Sequence, residues 1–245
     1  MSVVASLLLV THKMHHFIQI SDCHIDDIEQ SMGVNTHRNL AHIIDKITPM
    51  QSDALLISGD LTHHGTLTAY KKLKKLLSPI QSNLFVLAGN HDDPHNLATV
   101  FSAHLFNKIS IGMWDIINID SVQAKKTSGY LTKDALLELD KQLANSKSKY
   151  SLLVLHHPIV PMDSTWDDAL SLENPQDLFT VLDKYPKIQA VLFGHAHESA
   201  EFKRKGLKII ACPSTAVQFT DEKRIGFNYY TLHNNGYLEC KTQWI

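Results

Sequence analysis

Residues 83–93 read NLFVLAGNHDD, a short apolar run that ends in a glycine and continues into polar residues. The run is typical of a buried β-strand. A loop that only turns the chain needs Gly, Asn or Asp. Asn90, His91 and Asp92 instead offer an amide, an imidazole and a carboxylate side by side. The stretch therefore indicates a chemical partner as well as a turn.

Four other apolar runs end in the same way, at residues 16–21, 53–59, 151–156 and 190–195. The polar groups at their ends are Asp22 and His24, Asp60, His156 and His157, and His195 and His197. Segments 67–80 and 133–146 carry apolar residues at three- and four-residue spacing, which predicts helices. Alternating strands and helices predict a parallel or mixed sheet covered by helices. The carboxyl ends of such strands meet in one crevice.

Carboxylate, amide and imidazole groups without thiolates are ligands that suit Mn, Fe or Zn ions. In an extended chain, residues i and i+2 point the same way. Asp22 with His24, and His195 with His197, are therefore each predicted to present two ligands to one site, or one to each of two ions. Asp60 is the candidate for a carboxylate that bridges two ions about 3.5–4 Å apart.

Each of these positions also has a simpler explanation. A single aspartate at a strand end is typical of a helix N-cap, and an isolated histidine means little in a chain with 16 of them. Histidines outside the strand ends are interpreted as surface residues: His12, His15, His16, His37, His42, His63 and His64. The metal site is preferred because the simpler explanations would have to coincide at five strand ends.

Composition narrows the class of protein further. Hydrophobic residues make up 44% of the 245 residues, which predicts a globular core. A formal net charge of -2 indicates neither a nucleic-acid partner nor a membrane partner. The three cysteines are far apart without a CxxC spacing, so we expect reduced thiols and a cytoplasmic location.

The structure of the two ends of the chain is predicted as follows. The opening run VVASLLLV is too short to span a bilayer. It is predicted to be an edge strand or an extension upstream of an alternative start at Met14, so that residues 1–15 extend a single domain covering 1–245. Segments 207–219, 226–233 and 237–245 are predicted to be successive strands of a second, mostly antiparallel sheet packed against the first.

The ordered blocks D-x-H (22–24), G-D (59–60), G-N-H-D (89–92), H-H-P (156–158) and G-H-x-H (194–197) resemble those of the calcineurin-like metallophosphoesterases. The resemblance runs from Ile18 to about Phe219. It implies an α/β fold, a four-layer αββα sandwich of two mixed β-sheets flanked by helices. It also implies two metal ions, whether Fe, Mn or Zn.

The resemblance further implies a role for each matching residue. One metal would be held by Asp22, His24, Asp60 and His197. The other would be held by Asp60 as the bridge, Asn90, His156 and His195. The residues implied to bind substrate are His24, Asp60, Asn90, His91 and His197. In the hypothesised mechanism a metal-bridging hydroxide attacks phosphorus, His91 protonates the leaving oxygen as the catalytic acid, and Asp92 orients His91 or a ligand, with a loop cap as the simpler role of Asp92.

Two segments, 156–174 and 213–219, are similar to those of bacterial class III cyclic-nucleotide phosphodiesterases. This finer match implies hydrolysis of 3′,5′-cyclic AMP to 5′-AMP. Trp166 and Phe219 are candidates for contacting the purine, with packing as the simpler role. The sequence departs from relatives at GDLTHHG (59–65), where His63 and His64 replace residues that are often acidic or small.

Two other functions remain open at this point. One is a metallophosphoesterase of other specificity, such as a lipid-A-precursor pyrophosphatase or a phosphomonoesterase. The other is a non-catalytic scaffold on the same fold, which is disfavoured because every implied ligand position is filled. The expected partner is a small-molecule cyclic nucleotide, with no nucleic acid and no membrane, and the chain is expected to act as a monomer or homodimer.

Overall fold

Buried strands alternate with amphipathic helices along most of the chain. The computed structural model describes residues 14–245, so the opening apolar run and its predicted edge strand or extension lie outside the described residues. The strands are β1 (His15–Ile20), β2 (Gln30–Ser31), β3 (Val34–Asn35), β4 (Ala54–Ser58), β5 (Asn83–Leu87), β6 (Lys108–Ile111), β7 (Trp114–Asn118), β8 (Tyr150–Val154), β9 (Ile188–Phe193), β10 (Glu201–Arg204), β11 (Leu207–Ala211), β12 (Gly226–Leu232) and β13 (Leu238–Trp244). The helices are α1 (Thr36–Ile47), α2 (Leu67–Leu76), α3 (Pro94–Phe101), α4 (Lys133–Asn145), α5 (Thr165–Leu170) and α6 (Pro175–Leu182).

Both predicted helices are confirmed, as α2 and α4. Each begins at a threonine whose hydroxyl accepts a hydrogen bond from the amide three residues ahead, 3.1 Å long at both Thr66 and Thr132. Such a cap satisfies one of the free amides of the first turn. The α2 helix ends at Leu76, earlier than the apolar spacing suggests, because Pro79 disfavours helical backbone in the residue before it.

The strands form two mixed sheets and a small hairpin of β2 and β3. The first sheet has the order β13-β12-β1-β4-β5, in which β1, β4 and β5 are parallel. The second has the order β10-β11-β9-β8-β7-β6, in which β7, β8, β9 and β11 are parallel. The predicted strand ends are therefore divided between two sheets, three in the first and two in the second.

Apolar residues fill three layers between the elements. Phe17 and Leu56 of the first sheet and Val154 and Leu192 of the second belong to one buried cluster, so the sheets pack face to face. A second cluster packs α1, α2 and α3 on the outer face of the first sheet. A third packs α4 and α6 on the outer face of the second. The predicted four-layer αββα sandwich is thus confirmed.

The expectation that the tail forms its own sheet is wrong. The β11 strand pairs in parallel with β9 in the second sheet, whereas β12 pairs antiparallel with β1 and β13 pairs with β12 in the first. The apolar pattern of a strand predicts that it is buried but not which distant strand it pairs with. No helix within residues 14–245 has the length and hydropathy needed to cross a bilayer.

Candidate metal centre

The loops after β1, β4, β5, β8 and β9 meet at one edge of the sandwich. The amide of Asp22 donates to the Gly59 carbonyl at 3.1 Å and the amide of His24 to the Asp60 carbonyl at 3.0 Å, which joins the β1 and β4 loops. The amide of His195 donates to the Asp22 carboxylate at 3.0 Å, which joins the two sheets. The crevice predicted from the strand ends therefore exists, and it lies between the two sheets.

The backbone at the site differs from the predicted extended chain. Five of the seven predicted ligands have left-handed backbone angles, with φ of 54° at Asp22, 46° at His24, 49° at Asp60, 67° at His195 and 48° at His197. Each such residue costs about 1–2 kcal/mol relative to the usual conformation. Backbone strain of this kind clusters at functional sites, where the surrounding structure imposes it. Asp22 and His24, and likewise His195 and His197, do lie at one site. The backbone that places them there is left-handed rather than extended.

One group of donors surrounds the β1 loop. Ligand atoms of Asp22, His24 and His197 lie within 4.8 Å of one another, and all three residues are buried. The Nε2 atoms of His24 and His197 are 3.0 Å apart, and Oδ2 of Asp60 lies 3.6 Å from Nε2 of His24. These are the four side chains predicted to hold the first metal, and the structure brings them together.

A second group lies beside the first. Nε2 of His156 is 3.3 Å from Oδ1 of Asp60 and 3.1 Å from Oδ1 of Asn90. Nδ1 of His195 is 3.3 Å from the same His156 nitrogen. The two oxygens of Asp60 therefore face different groups, Oδ2 toward His24 and Oδ1 toward His156. This is the placement required of a bridging carboxylate.

The protonation states of most of these groups suit metal binding. Burial lowers the pKa of His24 to about 3 and that of His195 to about 4, so both imidazoles are neutral at pH 7. Burial would raise the pKa of Asp22, but the nearby His197 outweighs it and holds the value at about 2. Ligands must be deprotonated to coordinate, and these three groups already are.

Two buried histidines, His195 and His156, indicate whether the site fits cations. Among residues 14–245, Nε2 of His195 is buried without a hydrogen-bond partner. Burial would lower the pKa of His156, but the Asp60 carboxylate raises it to about 9. A proton on His156 thus neutralises part of the buried charge, and a bound cation would replace it. The donor set of carboxylates, imidazoles and an amide fits two ions.

His63 was predicted to be a surface residue, and the structure contradicts this. Its Nδ1 lies 3.3 Å from Nδ1 of His24, and its ring stacks on that of His91 with centroids 5.0 Å apart. Its neighbour His64 is exposed, as predicted, and pairs with Asp26 at 2.7 Å. The signal available in the sequence was the position of His63 three residues after Asp60, on the same loop.

The predicted role of Asp92 is also wrong. Its carboxylate accepts hydrogen bonds from the Gly89 amide at 2.9 Å, the Leu61 amide at 3.1 Å and the Tyr70 hydroxyl at 2.7 Å. The His91 ring instead donates from Nδ1 to the carbonyl of His63 at 2.9 Å. Asp92 therefore ties the loop of Asp60 to the loop of Asn90. Burial raises its pKa to about 6.

Two exposed aromatic residues border the site and form what we call the aromatic wall (Trp166 and Phe219). The Phe219 ring stacks on the His197 ring, with centroids 4.0 Å apart and planes 7° apart. The Trp166 ring contacts Phe219 edge to face at 5.2 Å. Their exposed fractions, 57% for Trp166 and 42% for Phe219, are high for large aromatic side chains. The wall thus presents apolar surface to solvent next to a predicted ligand.

Fold and site together define the class of protein, a phosphoesterase built on two facing mixed sheets. The structure of a dimetal phosphatase from Danio rerio superposes with a TM-score of 0.76, covering 94% of this chain and 96% of that one at 13% identity. At that identity the likeness concerns the fold alone. The chain belongs to the calcineurin-like phosphoesterase family, whose sequence model matches residues 15–199. The resemblance seen in the motifs is confirmed.

Two bacterial relatives extend over nearly the whole chain. A protein of Ruthia magnifica subsp. Calyptogena magnifica, named probable cyclic nucleotide phosphodiesterase, is 63% identical over 94% of this chain and 99% of its own. The 3′,5′-cyclic adenosine monophosphate phosphodiesterase CpdA of Pseudomonas aeruginosa is 32% identical over 91% of this chain and 87% of its own. Family and relatives identify the chain as a hydrolytic enzyme.

Proposed function

We propose that this protein is a dinuclear metal-dependent phosphodiesterase that hydrolyses 3′,5′-cyclic AMP to 5′-AMP. The observation that carries the proposal is Asp60, whose two carboxylate oxygens face two separate groups of buried ligand atoms, at 3.6 Å from His24 and 3.3 Å from His156. The printed names of the two relatives support the choice of a cyclic nucleotide as substrate. Three free cysteines in the described chain are in keeping with a cytoplasmic location.

The residues divide into two proposed ligand sets. Asp22, His24, Asp60 and His197 would hold one ion, and Asp60, Asn90, His156 and His195 the other. Two bound cations would lower the pKa of a bound water to about 7 and offset the charge of the phosphodiester. Mixed oxygen and nitrogen donors accept Fe, Mn or Zn, and availability decides between them.

His91 is proposed as the catalytic acid. Its Nδ1 donates to the carbonyl of His63 at 2.9 Å and its amide donates to Asp60 at 2.9 Å. The ring is therefore held with Nε2 as the nitrogen that can face a substrate. As the bond from phosphorus to the 3′ oxygen breaks, a proton on Nε2 would pass to that oxygen. A positioned acid contributes about 10²–10⁴-fold, while Asn90 would orient the phosphoryl oxygens.

The aromatic wall is proposed to receive the adenine base. A base stacked on an aromatic side chain gains about 1–3 kcal/mol. Because Phe219 stacks on His197, a nucleotide whose phosphate lies near His24, Asp60, Asn90 and His197 would bring its base toward the wall. As a small molecule, this substrate needs neither a nucleic-acid surface nor a membrane, and a monomer or homodimer would suffice.

The proposal is tested by metal analysis of the purified protein followed by parallel assays. Cyclic AMP, a pyrophosphate diester and a phosphomonoester would be compared at equal enzyme and metal concentration. We expect two ions per chain and kcat/KM highest for cyclic AMP. Two ions with faster hydrolysis of the pyrophosphate diester or the monoester would replace the proposed specificity, and a chain that retains no ion would refute the dinuclear site.

A further inference from the structure

A histidine that binds a metal through one ring nitrogen usually donates a hydrogen bond from the other, which fixes its tautomer and orientation. Two of the proposed ligands use backbone carbonyls for this purpose. Nδ1 of His156 donates to the carbonyl of Ser58 at 2.9 Å. Nδ1 of His197 donates to the carbonyl of Val217 at 2.7 Å. In both cases the acceptor belongs to the main chain, so no substitution removes it directly.

His24 is arranged differently. Its Nε2 faces the site, 3.0 Å from Nε2 of His197 and 3.6 Å from Asp60. Its Nδ1 points away from the site and lies 3.3 Å from Nδ1 of His63. The second nitrogen of this ligand therefore meets a side chain rather than a carbonyl.

We propose that His63 is a positioning residue that accepts the Nδ1 hydrogen bond of His24 and so directs Nε2 of His24 toward the metal. The inference rests on the proposed function only in that His24 must bind an ion. The same residue holds His91 through its own carbonyl, at 2.9 Å from Nδ1 of His91. His63 thus fixes the orientation of a ligand with its side chain and of the proposed acid with its backbone.

The packing of the three rings supports this role. His63 stacks on His91 at 5.0 Å with 18° between planes, and it meets His24 edge to face at 5.4 Å. His24 in turn meets His91 edge to face at 4.9 Å. Each ring restricts the rotation of the other two. His63 is therefore held where its Nδ1 faces the Nδ1 of His24.

Ligand atoms of His24, His63 and His91 also lie within 4.8 Å of one another, which suggests a third metal site as an alternative. Nδ1 of His91 is already engaged by a carbonyl, and Nε2 of His24 faces His197 and Asp60. An ion at the trio would therefore use Nδ1 of His24 and replace the hydrogen bond proposed between that nitrogen and His63. The two interpretations exclude each other, and the number of bound ions distinguishes them.

The test compares three variants of the full chain after removal of metal. His63→Leu removes the acceptor, His63→Asn places an amide oxygen near the position of Nδ1, and His64→Leu is the matched control on the same loop. Each metal-free protein is titrated with Mn²⁺ in a calorimeter, and the heat released gives its affinity for Mn²⁺. Loss of such an outer partner typically costs about 10–100-fold in metal affinity, so we expect that loss in His63→Leu, recovery in His63→Asn and no change in His64→Leu.

Several results would overturn the inference. These are wild-type affinity in His63→Leu, an equal loss in His63→Asn and His63→Leu, or a third ion in the wild type that disappears with His63. If His63→Leu does not fold, histidine-ring NMR of the zinc-loaded wild type decides, since a rapidly exchanging Nδ1 proton on His24 would contradict the proposed bond. A wild type that binds two ions but does not hydrolyse cyclic AMP would refute the proposed substrate and leave this inference standing.

Discussion

Gly89→Ala tests whether the bridging position of Asp60 depends on the space beside it. A Cβ atom at residue 89 would lie 2.1 Å from Oδ1 of Asp60 and 2.3 Å from the Asp60 amide nitrogen. Side-chain carbons do not approach other atoms within 3.0 Å, so one of the two loops must retreat by roughly 1 Å in a close-packed interior. Because the amide belongs to the backbone, a rotamer change cannot relieve the clash.

The expected losses of stability and of turnover follow from this steric overlap. Overpacking of a buried position costs about 1–3 kcal/mol, which for a chain of this length lowers Tm by roughly 2–12 °C. A displacement of about 1 Å in a catalytic group lowers the rate on the order of 10²-fold. We therefore expect reduced metal content at both proposed sites, because Asp60 faces both, and a loss of about 100-fold in turnover.

Metal content is measured by mass spectrometry. Thermal unfolding and the rate of hydrolysis of cyclic AMP are measured on the same preparations. Gly33→Ala is the matched control, since a Cβ there meets no atom within 4 Å although φ is +77°. It should show only the backbone cost of alanine, about 1–2 kcal/mol, with wild-type metal content and activity. If Gly89→Ala keeps both ions and hydrolyses substrate within about twofold of the wild-type rate, the reasoning is refuted.

Three further predictions concern the acid, the aromatic wall and pH. His91→Ala should lower kcat by about 10²–10⁴-fold with metal content unchanged, because it removes a proton donor but no ligand; an unchanged kcat in steady-state assays would contradict this. Phe219→Ala should raise KM for cyclic AMP by roughly 5–150-fold, the equivalent of about 1–3 kcal/mol of stacking, and leave a small aryl phosphodiester nearly unaffected; equal changes for both substrates would argue against base stacking. The metal-free protein should be more stable at pH 6.5 than at pH 5 or pH 9, as measured by thermal unfolding. The pKa of His24 and of His195 is lowered by burial to about 3 and about 4, so the unfolded chain takes up more protons as pH falls below 6.5. Burial would lower the pKa of His156, but Asp60 raises it to about 9, so its stabilising proton is lost as pH rises toward 9; a Tm that is the same at pH 5, 6.5 and 9 would refute this linkage.

The sequence was sufficient to identify the sandwich and the groups that meet in its crevice. Strands such as Ala54–Ser58, which is buried along its whole length, can be recognised locally, because burial on both faces requires a continuous apolar run. The polar residues after each strand stand out because a simple turn does not need them. Since β1, β4 and β5 run parallel to one another, their carboxyl ends must share an edge, so Asp60 and Asn90 could be predicted to lie near one another although they are separated by a helix.

Only the tertiary structure decided how those groups are held. The pairing of β11 with β9 and of β12 with β1 joins residues far apart in sequence, and no local pattern specifies it. The left-handed backbone at Asp60 is imposed by the surrounding loops, not by the preference of aspartate itself. The partners of His63 and Asp92 likewise depend on which loops come into contact, and a side chain's identity does not reveal its distant neighbours. The sequence thus determined which chemical groups reach the site. The packing of the two sheets determined which of these groups hold the others in position.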